Sequence, residues 1–164
     1  MVLTRSILQS KPTRDRARVL HRKFLQQHEE SVNNTGTSTL KIGVIGYGYW
    51  GPNVVRNFYN VPDATIVSVA DVSQKSLDRV RTVYPSMGLT TNANDILTNP
   101  GIDAVAIVTP ISHHHALAKK ALENGKHVFV EKPFTASVAE AEELIELAER
   151  KNLKIMVDHT FLFT

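Results

Sequence analysis

The chain has 164 residues, 42% apolar and 21% charged, the balance of a globular protein with room for one domain core. It lacks cysteine, which excludes disulfides and thiolate metal sites and is compatible with a reducing cytoplasm, the expected compartment; no run approaches the roughly 18 apolar residues of a membrane helix. The net charge of +3 comes from residues 1–40, where seven Lys/Arg face three Asp/Glu and leave −1 for the rest, so neither a membrane nor a nucleic-acid partner is expected of the folded part.

Residues 1–39 have no signal-peptide core and read as a basic, flexible extension. Arg14, Arg16, Arg18, Arg22 and Lys23 cluster there, with Ala17, Leu20 and Phe24 at helical spacing, before the polar stretch 31–39. An organellar leader shares this composition; a short solvated helix with a linker is the simpler reading.

From Leu40 onward strand-like and helix-like segments alternate. Strands are predicted at 41–45, 65–70, 88–90, 103–108, 127–130 and 154–158, with helices at about 52–60, 74–84, 93–98, 113–124 and 136–151. The first strand runs into Gly46-Tyr47-Gly48-Tyr49-Trp50-Gly51, a dinucleotide fingerprint between a strand and a helix. Gly46 permits the tight turn, Gly48 lets a pyrophosphate approach the backbone, and Gly51 lets the helix lie close to the sheet. Pro52 suits a first helical turn, whose free amides face phosphate. The plainer alternative is three turn glycines with no ligand.

The second strand ends at Asp71, twenty residues beyond Gly51. A carboxylate there accepts from a ribose 2′-hydroxyl and repels a 2′-phosphate, so NAD is expected rather than NADP. Leu77, Val80 and Tyr84 mark the buried stripe of the next helix. The runs 103–108 and 127–130 are continuously apolar, as in parallel strands covered on both faces. Between them lie Thr109-Pro110 and His113-His114-His115. Consecutive histidines diverge around a helix and cannot readily converge on one ion, so no metal site is expected.

Asn124-Gly125 stops that helix, and Ser137 or Thr135 can cap the last one, whose stripe is Val138, Ala141, Leu144, Ile145 and Ala148. Glu131-Lys132-Pro133 follows the fifth strand. An ammonium at a strand end can orient a substrate hydroxyl and stabilise alkoxide character; an ordinary surface lysine is the alternative. Asp158 and His159, adjacent on a strand, face opposite sides and are not assigned as a catalytic pair. Six strands with five crossovers predict an α/β fold over residues 40–160, a Rossmann-like, doubly wound parallel sheet of order 3-2-1-4-5-6.

Taken together, Gly46 to Gly51, Thr109-Pro110 with His114, Gly125-Lys126-His127-Val128 and Glu131-Lys132-Pro133 resemble the Gfo/Idh/MocA oxidoreductases over about residues 40–164. The resemblance implies an NAD(P)-binding domain followed by a larger one that holds a sugar-like substrate, with hydride passing between substrate and nicotinamide. It implies a catalytic Lys132 where the two meet, a cis Lys132–Pro133 bond, and His114 near the cofactor at a helix start. Tyr47, Tyr49 and Trp50 would border the dinucleotide, with Thr109, Pro110 and Glu131 beside it. The family's acid/base residues belong to the second domain, and residues 161–164 read as the crossing into it. Turnover is therefore expected to need that domain or a complementary subunit, and apolar Phe161 to Phe163 make a homo-oligomer plausible. A non-enzymatic NAD-binding regulatory module is the competing function; a methyltransferase, which also uses a glycine turn and an acid, fits the three-glycine spacing less well.

Overall fold

The computed structural model describes residues 39–159. The readings made for the basic extension and for Phe161 to Phe163 lie outside the described residues. Six strands, β1 (Leu40–Ile45), β2 (Ala64–Ala70), β3 (Gly88–Thr90), β4 (Ala104–Ile107), β5 (His127–Glu131) and β6 (Ile155–Asp158), form one sheet of order β3-β2-β1-β4-β5-β6, every pair parallel. This is the expected order. Parallel neighbours need crossovers, and α1 (Gly51–Tyr59), α2 (Gln74–Val83), α3 (Asn94–Leu97), α4 (His114–Glu123) and α5 (Val138–Arg150) supply them.

The crossovers fall on opposite faces about β1, and each face has its own core. On one side Val54 and Val55 of α1 and Leu77 and Val80 of α2 meet Ile42, Val44, Val69 and Ala106. On the other, Ile96 of α3, Ala118 and Leu122 of α4, and Leu144 and Ala148 of α5 meet Val105, Ile107, Val128 and Val130. All four residues of β4 are buried, which is why that strand reads as an unbroken apolar run.

Local chemistry sets most boundaries. Ser73 and Ser137 cap α2 and α5 by accepting from Ser76 N–H and Glu140 N–H. Gly125 follows α4 at φ +74°, the left-handed conformation that glycine adopts at no steric cost. One expectation needs correction. Val138 is 74% and Ile145 46% exposed, and the partly buried Leu147 instead packs against the core beside Leu144 and Ala148. Among the described residues the helix packs mainly against α4 and the edge of the sheet, so it buries a narrower stripe than its apolar set allows. The helix predicted at 93–98 is a single turn, and a 3₁₀ turn, Ile111–His113, precedes α4.

Candidate functional site

The carboxyl ends of β1, β2, β3 and β4 open into a cleft of about 470 Å³. Ile45, Gly46 and Gly48 form one wall, Ala70, Asp71 and Val72 a second, and Thr109, Pro110 and His113 a third. Gly46 sits at φ +102°, and a Cβ added to it would lie 2.2 Å from the Val108 carbonyl oxygen, so both conformation and space demand glycine. At Gly48 a Cβ would meet nothing within 4 Å; its missing side chain leaves the backbone open to the cleft. At Gly51 it would approach the Gly46 carbonyl oxygen to 2.9 Å.

No side chain caps α1, its first turn holds no acid, and Pro52 occupies that turn. Pro52 has no N–H, and the amides of Asn53 and Val54 donate to the Trp50 carbonyl oxygen at 3.0 and 3.3 Å, so among the first helical residues the Gly51 N–H is the one left to an anion.

Asp71 ties the second strand to the glycine turn. Tyr47 N–H donates to its Oδ2 at 2.6 Å and Ser73 N–H to its Oδ1 at 2.8 Å. An ionised carboxylate accepts at about four lone-pair positions, so two contacts leave capacity for ribose hydroxyls. The other side of the same turn is held by Arg79, whose Nη2 donates to the Tyr47 carbonyl oxygen at 2.9 Å and to Ser76 Oγ at 3.2 Å. Its guanidinium lies 5.7 Å from the Tyr47 ring centroid. That ring is buried in the core, and burial pushes its phenol upward, with Tyr84 adding to the shift and Arg79 opposing it. Tyr47 thus reaches the cleft rim through its main chain alone. Tyr49 is 93% exposed and stacks on Trp50 with ring centroids 5.9 Å apart, both outside the cleft lining.

The three histidines diverge. His113 borders the cleft, His115 meets Glu143 on α5 at 2.7 Å, and His114 is buried. The His114 ring lies between two main-chain oxygens, Nε2 at 2.8 Å from Thr109 and Nδ1 at 3.0 Å from Pro133. A neutral ring donates to one of them and a protonated ring to both. His114 therefore spans the loops that leave β4 and β5, holding Thr109 and Pro133 together from behind the cleft wall.

At the end of β5, Lys132 is exposed and the Lys132–Pro133 bond is cis, as the resemblance implied. Glu131 before it is buried, and its carboxyl is pushed up to about 7. Desolvation is the largest cause, followed by a hydrogen bond and repulsion from Asp158; the main-chain N–H and ammonium of Lys132 oppose it. Neither residue lines the cleft.

Lys126 lies elsewhere. Its buried ammonium donates to the main-chain oxygens of Asn99 and Ile102, the latter at 2.8 Å, and desolvation lowers its affinity for the proton. The Gly-Lys-His-Val segment is thus a helix stop followed by a brace for the turn before β4.

Sequence did not single out Arg79, Val72, Thr91 or Ala93, and it named His113 within the histidine run without giving it a contact in the cleft. Thr91 and Ala93 follow β3, and the rule that ligands gather at strand carboxyl ends reaches them. Arg79 lies 32 positions from the carbonyl it holds, and nothing in its neighbourhood in sequence signals that contact.

The Gfo/Idh/MocA family model, described as an oxidoreductase family with an NAD-binding Rossmann fold, matches residues 40–159. Among curated relatives, the chain is 39% identical to scyllo-inositol 2-dehydrogenase (NAD(+)) of Bacillus subtilis over 104 residues, 63% of this chain and 29% of that protein. Among solved structures, it resembles scyllo-inositol dehydrogenase of Lactobacillus casei, crystallised with NAD(H) and scyllo-inositol, with TM-score 0.71 and 28% identity over 77% of this chain and 38% of that one. It also resembles biliverdin reductase of Synechocystis, crystallised with biliverdin and NADP+, with TM-score 0.72 and 27% identity over 76% of this chain and 39% of that one. The chain spans about a third of the length of the curated relatives it matches.

Proposed function

The chain belongs to the Gfo/Idh/MocA oxidoreductase family as its NAD-binding Rossmann domain, and from that premise we propose that it serves hydride transfer between NAD and a hydroxyl of a sugar, nucleotide sugar or cyclitol. One observation carries the cofactor reading: the cleft meets a glycine turn whose Gly46 tolerates no Cβ, beside an uncapped helix and a carboxylate already fixed in position. The glycine turn and the Gly51 N–H that opens α1 would hold the pyrophosphate, and Asp71 the adenosine ribose. Thr109, Pro110 and His113 would border the remaining half, with Tyr49 and Trp50 at the outer rim and Glu131 and His114 supporting from behind.

Two oxygens of Asp71 held by main-chain N–H groups cannot swing away from a 2′-phosphate, so their charge favours NAD. A bound nicotinamide supplies the hydride acceptor or donor. Lys132, at the end of β5, orients the substrate hydroxyl and offsets charge developing on its oxygen. The relatives named for scyllo-inositol support a polyol substrate.

The direct test is to titrate the purified chain with NADH while following nicotinamide fluorescence. Saturable enhancement is expected, with weaker binding of NADPH; a response that stays linear in NADH overturns the reading.

A further inference from the structure

The carboxyl ends of β5 and β6 place two acids side by side. Glu131 and Asp158 are register partners on adjacent parallel strands, so their side chains leave the same face of the sheet about one strand spacing, ~4.8 Å, apart. Two carboxylates at that separation repel unless water or a cation intervenes. Water has little access, because Glu131 is only 7% exposed and its Oε1 is buried without a hydrogen-bond partner among the described residues. The same carboxyl meets the Asp158 side chain and the main-chain N–H of Lys132.

Among the described residues, α1 and the strand ends set the charge around the pair. Beside Asp158, α1 presents Val54, Asn57 and Phe58, none of which titrates. Among the described residues, the charged or titratable groups named beside the pair are Lys132, on the loop leaving β5, and His159, exposed just beyond β6.

We propose that Glu131 and Asp158 share a single proton and that this pair is the positioning element for Lys132, an inference that rests on reading Lys132 as the substrate-facing residue. Burial keeps the Glu131 proton in place up to about 7, so near neutrality the pair changes between one negative charge and two. While the proton is shared it bridges the ends of β5 and β6. Once it is lost, the Lys132 N–H faces a fully ionised carboxylate, and repulsion within the pair loosens the strand ends beneath it. Neither acid touches the reacting atoms; both act through where Lys132 is held.

The Lys132 amide reports this contact directly. Amide spectra of the full chain labelled with ¹⁵N-lysine, the Lys132 resonance being assigned by its disappearance in Lys132→Arg, are expected to show one titration step centred near pH 7. Glu131→Gln should abolish the step, and Asp158→Asn should move its midpoint down by about one pH unit as repulsion within the pair is removed. A flat Lys132 resonance between pH 5 and 9 overturns the proposal, as does a step that survives Glu131→Gln or stays in place in Asp158→Asn. If Asp158→Asn fails to fold, Asp158→Ser takes its place, with the same downward move of the midpoint expected and an unmoved midpoint overturning the proposal. The measurement needs no nucleotide, so its failure with NADH binding intact rejects the pair alone, and the reverse result rejects the nucleotide reading alone.

Discussion

Asp71 shows how much one side chain settles. It accepts from main-chain N–H groups on both sides of the cleft corner, so Asp71→Ala removes a ribose acceptor and frees the glycine turn at Tyr47. Hydrogen bonds to a charged group contribute about 1.5–3 kcal/mol, so NADH affinity is expected to fall roughly 10- to 100-fold, with a smaller loss for NADPH, measured by fluorescence titration. Glu131 gives a pH prediction. Its proton is held up to about 7 when folded against 4.5 ordinarily, so between these values the unfolded chain binds fewer protons and stability falls as pH rises. The loss is complete above neutrality. Urea unfolding of Glu131→Gln across pH 4 to 8 should lack that decline. At Lys126, truncation to Ala strands the carbonyls of Asn99 and Ile102 and is expected to cost about 1–3 kcal/mol in the same assay. Its place in a recognisable motif was visible in sequence, but its target was not, because a lysine followed by a strand gives no sign of where its ammonium turns.

At the scale of elements, helices and strands were legible because periodicity and turn chemistry are local. Ser137 illustrates this: it precedes a one-sided apolar run and caps α5, so Ser137→Ala should cost about 1 kcal/mol in chemical denaturation. Packing between elements was less legible. Gly43 sits inside β1 with no turn to explain it, yet a Cβ there would fall 2.3 Å from Ile96 Cγ2 and 3.1 Å from Ile102 Cδ1. That glycine lets α3 approach the sheet, and since Ile96 is fully buried it has nowhere to move. Gly43→Ala is therefore expected to lose about 1–3 kcal/mol, read as a lower midpoint in the same denaturation experiment. The stripe of α5 fails for the same reason: Ile145 and Leu147 are equally apolar, and only the neighbour decides which one is covered.

For the whole molecule, β1 divides the crossovers, placing one core on each face and a cleft where their directions part. A ligand bound there touches the ends of four strands and couples both cores, so it should stabilise the domain as a unit. NADH at one hundred times its Kd is expected to raise the unfolding free energy by about 2.7 kcal/mol, seen as a higher Tm, whereas Gly46→Val should remove the increase. Sequence by itself determined the strand order, the position of the cleft and the turn that must stay free of side chains, because these follow from alternating periods, short connections and glycine spacing along one stretch of chain. Only the tertiary structure decided that His113 rather than His114 faces the cleft, that Arg79 secures the turn, and that Glu131 stands beside Asp158. Where a strand or helix ends, the period that aims side chains ends with it, and their direction is then set by partners distant in sequence.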